Sequence, residues 1–292
     1  MNNRSPVFIL LLSSIGWGVT WWPVKQLNAA GLDSLWLLAI AFVAGALVMS
    51  PWFYLQRRVW RTKLSWMIYI ALAGGIANVA FQLAIYYGDV IRVMILFYLL
   101  PVWSVFGGRL FLGEGIDGLR VLAVVLCVLG AVVILDVLAG DHLQAVSWID
   151  VLAIVSGMAL AATNILFRRV LDIPVMSKIA FMFLGSSSLI ILALLLFGKK
   201  LSAVEPTILV WTVLYGAIWL TLITLGTQWA VTRMDAGRSA IIIVMELVTA
   251  VASAALIAGH TLQWHEMIGG MLVMLAVLIE GIRDNRSGKL KV

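Results

Sequence analysis

Glu246 is the only acidic residue between Arg238 and His260, in a run that is otherwise almost wholly apolar. An ionised side chain in hydrocarbon is costly and marks a functional site by default, here a proton-coupling group or a partner for a substrate ammonium. It lies about eight residues into the run, roughly 12 Å along a helix axis. The structural alternative is a carboxyl held protonated, or paired with a neighbouring helix for stability. Asn78, Gln82 and Tyr86 recur at i, i+4 and i+8, making one polar stripe, and Thr224 and Gln228, with Thr221 a turn earlier, make another. Amides donate and accept hydrogen bonds, which suits both ends of a zwitterion without fixed protein charge. Such side chains also serve as glue between spanning helices, and both readings stand.

Ser13, Trp17, Thr20 and Trp21 share one helical face, and Gly157, Ala161 and Asn164 answer them 144 positions later with smaller side chains. Aromatics on one side and small residues on the other would form a pocket able to stack a ring. Tryptophan also belongs at bilayer interfaces, and Trp22, Trp36, Trp52, Trp60, Trp66, Trp148, Trp211 and Trp264 lie near the ends of apolar runs. Trp17 is deeper, where it either touches substrate or packs between helices. Met94, Tyr98 and Pro101 share a face on which Pro101 removes a backbone hydrogen bond, giving either a hinge or a static bend. Asp89 and Asp235 are expected to cap helices, with Arg92 and Arg238 beside them for local pairing or lipid headgroups. Glu114, Asp117, His260, His265 and Glu266 fall at the ends of runs and are expected to be solvated. No HExxH, Walker loop, GxSxG or paired His/Cys set occurs, so neither an enzyme nor a bound cofactor or metal is expected. The missing nucleotide site also excludes ATP-driven transport within this chain.

The elements that must position these residues are spanning helices. Of 292 residues 63% are hydrophobic, 34 are charged, and mean hydropathy is +1.07, which rules out an ordinary soluble domain. Ten apolar stretches, at about 7–25, 34–55, 65–87, 92–112, 118–138, 147–167, 178–197, 208–231, 238–259 and 264–282, are each long enough to cross a bilayer. The first lacks a small-residue cleavage site and is read as a span, not a secretory signal. Ten spans use roughly 200 residues, leaving no room for a soluble catalytic domain. The net charge of +6 is held in short clusters between spans, so it reads as a topology signal and not a nucleic-acid surface. With both termini cytoplasmic, 16 of the 20 Lys and Arg lie on that side. The other side has only Lys25, Arg92, Lys199 and Lys200, and its loop between spans five and six carries Asp136, Asp141 and Asp150. Cys127, the single cysteine, permits no intrachain disulfide.

Displacing the chain against itself by 146 positions pairs Gln82 with Gln228, Ala84 with Ala230, Asp89 with Asp235, Arg92 with Arg238, Val102 with Val248 and Gly113 with Gly259. A repeat of five spans is odd-numbered, so its second copy, taken as 141–292 after 1–140, enters the membrane from the opposite face. Substrates of such folds bind near the midplane, where the Asn78/Gln82 and Thr224/Gln228 stripes are expected to face each other.

Gly16-Trp17-Gly18 followed by Lys25, and Leu100-Pro101-Val102 followed by Phe111-Leu112-Gly113-Glu114, resemble the EamA repeat of the drug/metabolite transporter superfamily. Glu246-Leu247-Val248 and Ile257-Ala258-Gly259-His260 echo it in the second half. The superfamily pattern reads Glu-Pro-Val and then Leu-Gly-Glu; here the first half lacks the Glu, the second lacks the Pro, and His260 replaces the later Glu. The resemblance implies an all-α integral membrane fold of ten spans in two inverted five-helix repeats. The Trp-rich first span looks most like YddG-type exporters, which implies export of aromatic and other neutral amino acids across a bacterial-type inner membrane. Alternating access about a central cavity is expected, with membrane lipid around a functional monomer and protons as the candidate coupling ion. Two rivals remain: efflux of drugs or lipophilic cations, and a polytopic protein that transports nothing.

Overall fold

The computed structural model describes residues 4–88, 90–135, 147–201, 203–259 and 261–289, and these form helices and no strand. Asp89, Asp136, Asp141 and His260 lie outside the described residues. Nine helical segments are long and apolar enough to cross a membrane: Ser5–Ala29, Ser34–Leu55, Arg57–Tyr87, Arg92–Leu112, Trp148–Arg169, Val175–Leu196, Pro206–Val231, Ala236–Ala258 and Trp264–Arg283. Gly118–Ile134, apolar but shorter, is the fifth in order, and the ten are called spans one to ten below. Their ends follow local chemistry. Asp33 accepts the Leu35 N–H at the start of span two, Asp117 accepts that of Arg120 at the start of span five, and Ser147 and Asp150 form a capping box on span six.

The pairing of spans is symmetric under exchange of the two halves. Span three packs along six and seven, as eight packs along one and two; four packs on six, as nine packs on one. The other large interfaces, five with ten, two with seven and four with nine, map onto themselves. The chain therefore folds as two inverted five-span repeats in an all-helical membrane protein. Gly113 and Gly259 end spans four and nine at φ 71° and 68°, and their N–H groups bond Gly108 and Ala254, again 146 positions apart. Only glycine takes this left-handed turn at little cost.

Close helix approach depends on a few glycines. A Cβ on Gly130 would lie 2.8 Å from the Gly269 carbonyl, and one on Gly269 2.6 Å from the Gly130 carbonyl, so spans five and ten touch backbone to backbone. Gly75 meets the Gly185 backbone and Gly185 that of Ala71, so spans three and seven also touch backbone to backbone.

Three spans are interrupted. Span one breaks at Thr20 into Arg4–Val19 and Trp21–Ala29, and span four at Tyr98 and Leu99 into Val90–Phe97 and Leu100–Leu112. Span nine breaks at Val244 into Ala236–Ile243 and Met245–Ala258. Pro101 does not bend a continuous helix; it occupies the first turn of the second piece, where its missing N–H costs nothing. The repeat places Val244 opposite Tyr98, so span nine breaks at the equivalent point without a proline. Span eight carries a π-helical turn, Tyr215–Leu220, where Gly216 meets the backbone of Ala41. The basic 57–63 segment, expected as a loop, is helical, and span ten continues to Lys289. Trp60, expected at a lipid interface, is buried: its indole donates to the Phe53 carbonyl at 2.7 Å and its ring packs on Phe53 and Phe181.

Candidate functional site

Glu246 is the second residue of Met245–Ala258, ten residues beyond Ala236. At 1.5 Å per residue that is about 15 Å from the end of the span, near the middle of a bilayer core of about 30 Å. The Tyr98 hydroxyl donates to Glu246 Oε1 at 3.0 Å, joining the breaks of spans four and nine. Among the described residues no Lys or Arg pairs with Glu246, so the carboxylate faces no protein cation. Span one lies against it: a Cβ on Gly18 would be 2.5 Å from the Glu246 carbonyl, which explains glycine between Trp17 and its neighbours. On either side of Gly18, Trp17 Nε1 donates to Thr227 Oγ1 at 3.1 Å and Trp21 Nε1 donates to Ser253 Oγ at 2.9 Å. Trp219 Nε1 donates to Thr20 Oγ1 at 3.1 Å, so the break in span one is gripped from spans eight and nine. Glu246 and Tyr98 thus form a mid-membrane pair beside Gly18, with the Trp17 and Trp21 indoles tied to spans eight and nine on either side of that glycine.

The amide stripes are placed differently from expectation. Asn78 Nδ2 donates to Ser186 Oγ at 2.9 Å, a bond between spans three and seven. Gln228 Nε2 donates to Asn164 Oδ1 at 3.3 Å, joining spans eight and six, while Thr224 is buried one turn deeper. Gln82 is half-buried and has no hydrogen-bond partner among the described residues. The stripes do not bond each other, and the inversion explains why. Gln82 lies about 7.5 Å from the end of its span and Gln228 about 4.5 Å from the end of its own, on opposite faces. Residues related by an in-plane two-fold axis meet only if they lie at mid-depth. Tyr86 is outside the group as well: its hydroxyl donates to Asp33 Oδ2 at 2.9 Å and accepts from Lys199 Nζ at 2.8 Å, at the face opposite the termini. Gly157, expected as the small side of a pocket, is used for packing, because a Cβ there would lie 2.8 Å from the Phe97 carbonyl.

A second polar group was not anticipated. At the face that carries the termini, Arg120 Nη2 meets Asp235 and Glu280, each at 2.9 Å. Arg168 meets Glu114 at 3.1 Å and Asp235 at 3.0 Å, and Arg283 meets Asp117 at 2.7 Å and Glu280 at 3.1 Å. Both Glu114 oxygens accept the Ala236 N–H, at 2.9 and 3.0 Å, so Glu114 and not Asp235 caps span nine. Glu114 is therefore buried, not solvated. Burial raises its carboxyl above the ordinary value, against the pull of the Ala236 N–H, Arg168 and Arg120. Asp235 is also pushed up by burial, but Arg120, Arg168 and Arg283 overcome this and hold it below the ordinary value. Burial opposes Asp117 too, yet the Arg120 N–H and Arg283 keep it low. The Leu-Gly-Glu run was the one signal for this cluster; its partners come from four other spans. On the opposite face Arg92 grips Asp150 through two hydrogen bonds of 2.6 and 2.7 Å.

The sequence matches the EamA-like transporter family twice, over residues 4–136 and 147–280. No curated protein gives a match. A crystal structure described only as that of a protein superposes with a TM-score of 0.80 at 16% identity, covering 97% of this chain and 98% of that one; the likeness is one of fold.

Proposed function

The chain belongs to the EamA-like transporter family, a multi-pass membrane transporter of small molecules, and we propose that it exports aromatic and other neutral amino acids across a bacterial-type inner membrane. In this reading the halves 1–140 and 141–292 rock about a central path, both termini are cytoplasmic, and one chain forms a complete functional unit. The observation that carries it is the Glu246–Tyr98 pair, a mid-membrane carboxylate with no basic partner among the described residues. The substrate ammonium pairs with Glu246, and its ring stacks on Trp17 or Trp21. Gln82 and the Asn164–Gln228 pair, with Asn78 and Thr224, are proposed to line the path towards the two faces. The breaks beside Pro101 and at Val244 are proposed as hinges, because an interrupted hydrogen-bond ladder bends more easily than an intact one.

The same unpaired carboxylate favours a second reading, efflux of lipophilic cations. Counterflow in liposomes holding only this protein separates the two. Saturable exchange of labelled neutral amino acids is expected, and exchange restricted to organic cations would replace the first reading with the second.

A further inference from the structure

We propose that the charged cluster at the face carrying the termini is a gate, an interlock between the two repeats that must part before the transport path opens to that face. The inference rests on the transporter reading above. Its first support is which residues pair. The contacts Arg120–Asp235, Arg120–Glu280, Glu114–Arg168, Glu114–Ala236 and Asp117–Arg283 all run from the first half to the second. They gather the ends of spans four, five, six, nine and ten, and Lys63–Asp172 at 2.7 Å and Ser177–Gln56 at 2.6 Å link spans three with the six–seven loop and two with seven on the same face.

The second support lies just beneath. Asn164 precedes Arg168 by one helical turn, so the Asn164–Gln228 pair sits directly inside the cluster. Both amides are buried, at 1% and 3% exposure, yet Asn164 Nδ2 and Gln228 Oε1 have no partner among the described residues. A spare donor and a spare acceptor sealed behind ion pairs are costly in a permanently closed protein. They are satisfied when the cluster parts and solvent or a solute reaches them.

The third support is asymmetry. The repeat offset puts His260 where Glu114 stands and Ile134 where Glu280 stands, so the opposite face does not carry the same set of charges. Closure on the terminal face has its own dedicated contacts.

The test reads conformation and needs no solute. Cys127, the only native cysteine, is replaced by Ala, and Asn164→Cys is added as reporter; Thr224→Cys serves if that variant does not fold. Labelling by a membrane-impermeant maleimide is timed from each face in sealed vesicles of known orientation. With the cluster intact, labelling from the terminal face is slow. Asp235→Asn, which removes the charge that Arg120 and Arg168 meet, should raise that rate about tenfold, a size typical of a shifted two-state equilibrium. Asp117→Asn, at a half-exposed site, should raise it less and remains decisive if Asp235→Asn does not fold. Neither variant should speed labelling from the opposite face. An unchanged terminal-face rate in both monodisperse variants, or an equal rise from both faces, overturns the gate. Gated labelling without amino-acid exchange would remove the substrate reading and leave the gate, whereas exchange with ungated labelling would do the reverse.

Discussion

A single carboxylate distinguishes two kinds of polar residue in this membrane domain. Glu246 has one neutral donor, Tyr98, and no protein cation among the described residues, so its charge is left for a proton or a substrate to answer. Glu246→Gln keeps the shape and should abolish the response of transport to an imposed pH gradient; a response of unchanged size would remove Glu246 from coupling. The two glutamines related by the repeat can be told apart in the same way. Gln228 is buried and bonded to Asn164, so Gln228→Ala leaves a second amide without a partner and should cost about 1–3 kcal/mol of stability. Gln82 has no such partner, and Gln82→Ala should change stability by less than about 0.5 kcal/mol while lowering transport. Thermal unfolding beside counterflow checks both, and normal flux in Gln82→Ala would take it off the path. That Gln82 and Gln228 are equivalent is legible in the sequence. That they lie near opposite faces follows only from the inversion, and which neighbour each one meets was not legible at all.

At the scale of elements, the spans themselves were readable because hydrocarbon demands long apolar runs whatever their neighbours. The interruptions were less so. Pro101 advertises the break in span four, but span nine breaks at Val244 with no local signal, since the second half answers the first in three dimensions and not in composition. Glycine pairs inside spans allow close helix packing, yet the sequence does not say which member of a pair faces the neighbour. In Gly269-Gly270, Gly269 touches the Gly130 backbone, whereas a Cβ on Gly270 would meet nothing nearer than Val248 Cγ1 at 3.7 Å. Gly269→Ala should therefore destabilise the protein by about 1–3 kcal/mol through overpacking. Gly270→Ala should be neutral or stabilise by up to about 1 kcal/mol through helix propensity. Equal unfolding midpoints in detergent for the two variants would show that spans five and ten do not pack as described.

For the whole molecule, the charged cluster predicts how closure on the terminal face depends on pH. Glu114 is enclosed by Arg120, Arg168, Asp235 and the Ala236 N–H, with Glu280 and Arg283 behind them, and burial raises its carboxyl above the ordinary value. When the cluster parts, Glu114 returns to water and to about 4.3. The closed state then holds its proton more tightly, so this contribution to closure is full below about 4 and is lost as pH rises through the raised value. Asp235 and Asp117 act with the opposite sign. Their carboxyls are depressed in the closed state, so their contribution is full above about 4 and is lost as pH falls through the lowered values. As pH is lowered from neutral towards the ordinary carboxylate value, the Glu114 limb is the first of these three to change, and closure should strengthen. Labelling at Asn164→Cys, divided by labelling at exposed Thr62→Cys on the same face to cancel thiol ionisation, should fall over that range. In Glu114→Gln, which carries no charge at any pH, the fall should vanish and the ratio should already be low at neutral pH. A fall that survives this substitution would assign the proton to another group, and a rise in the parent would mean that the paired aspartates, not Glu114, set the pH response of the gate.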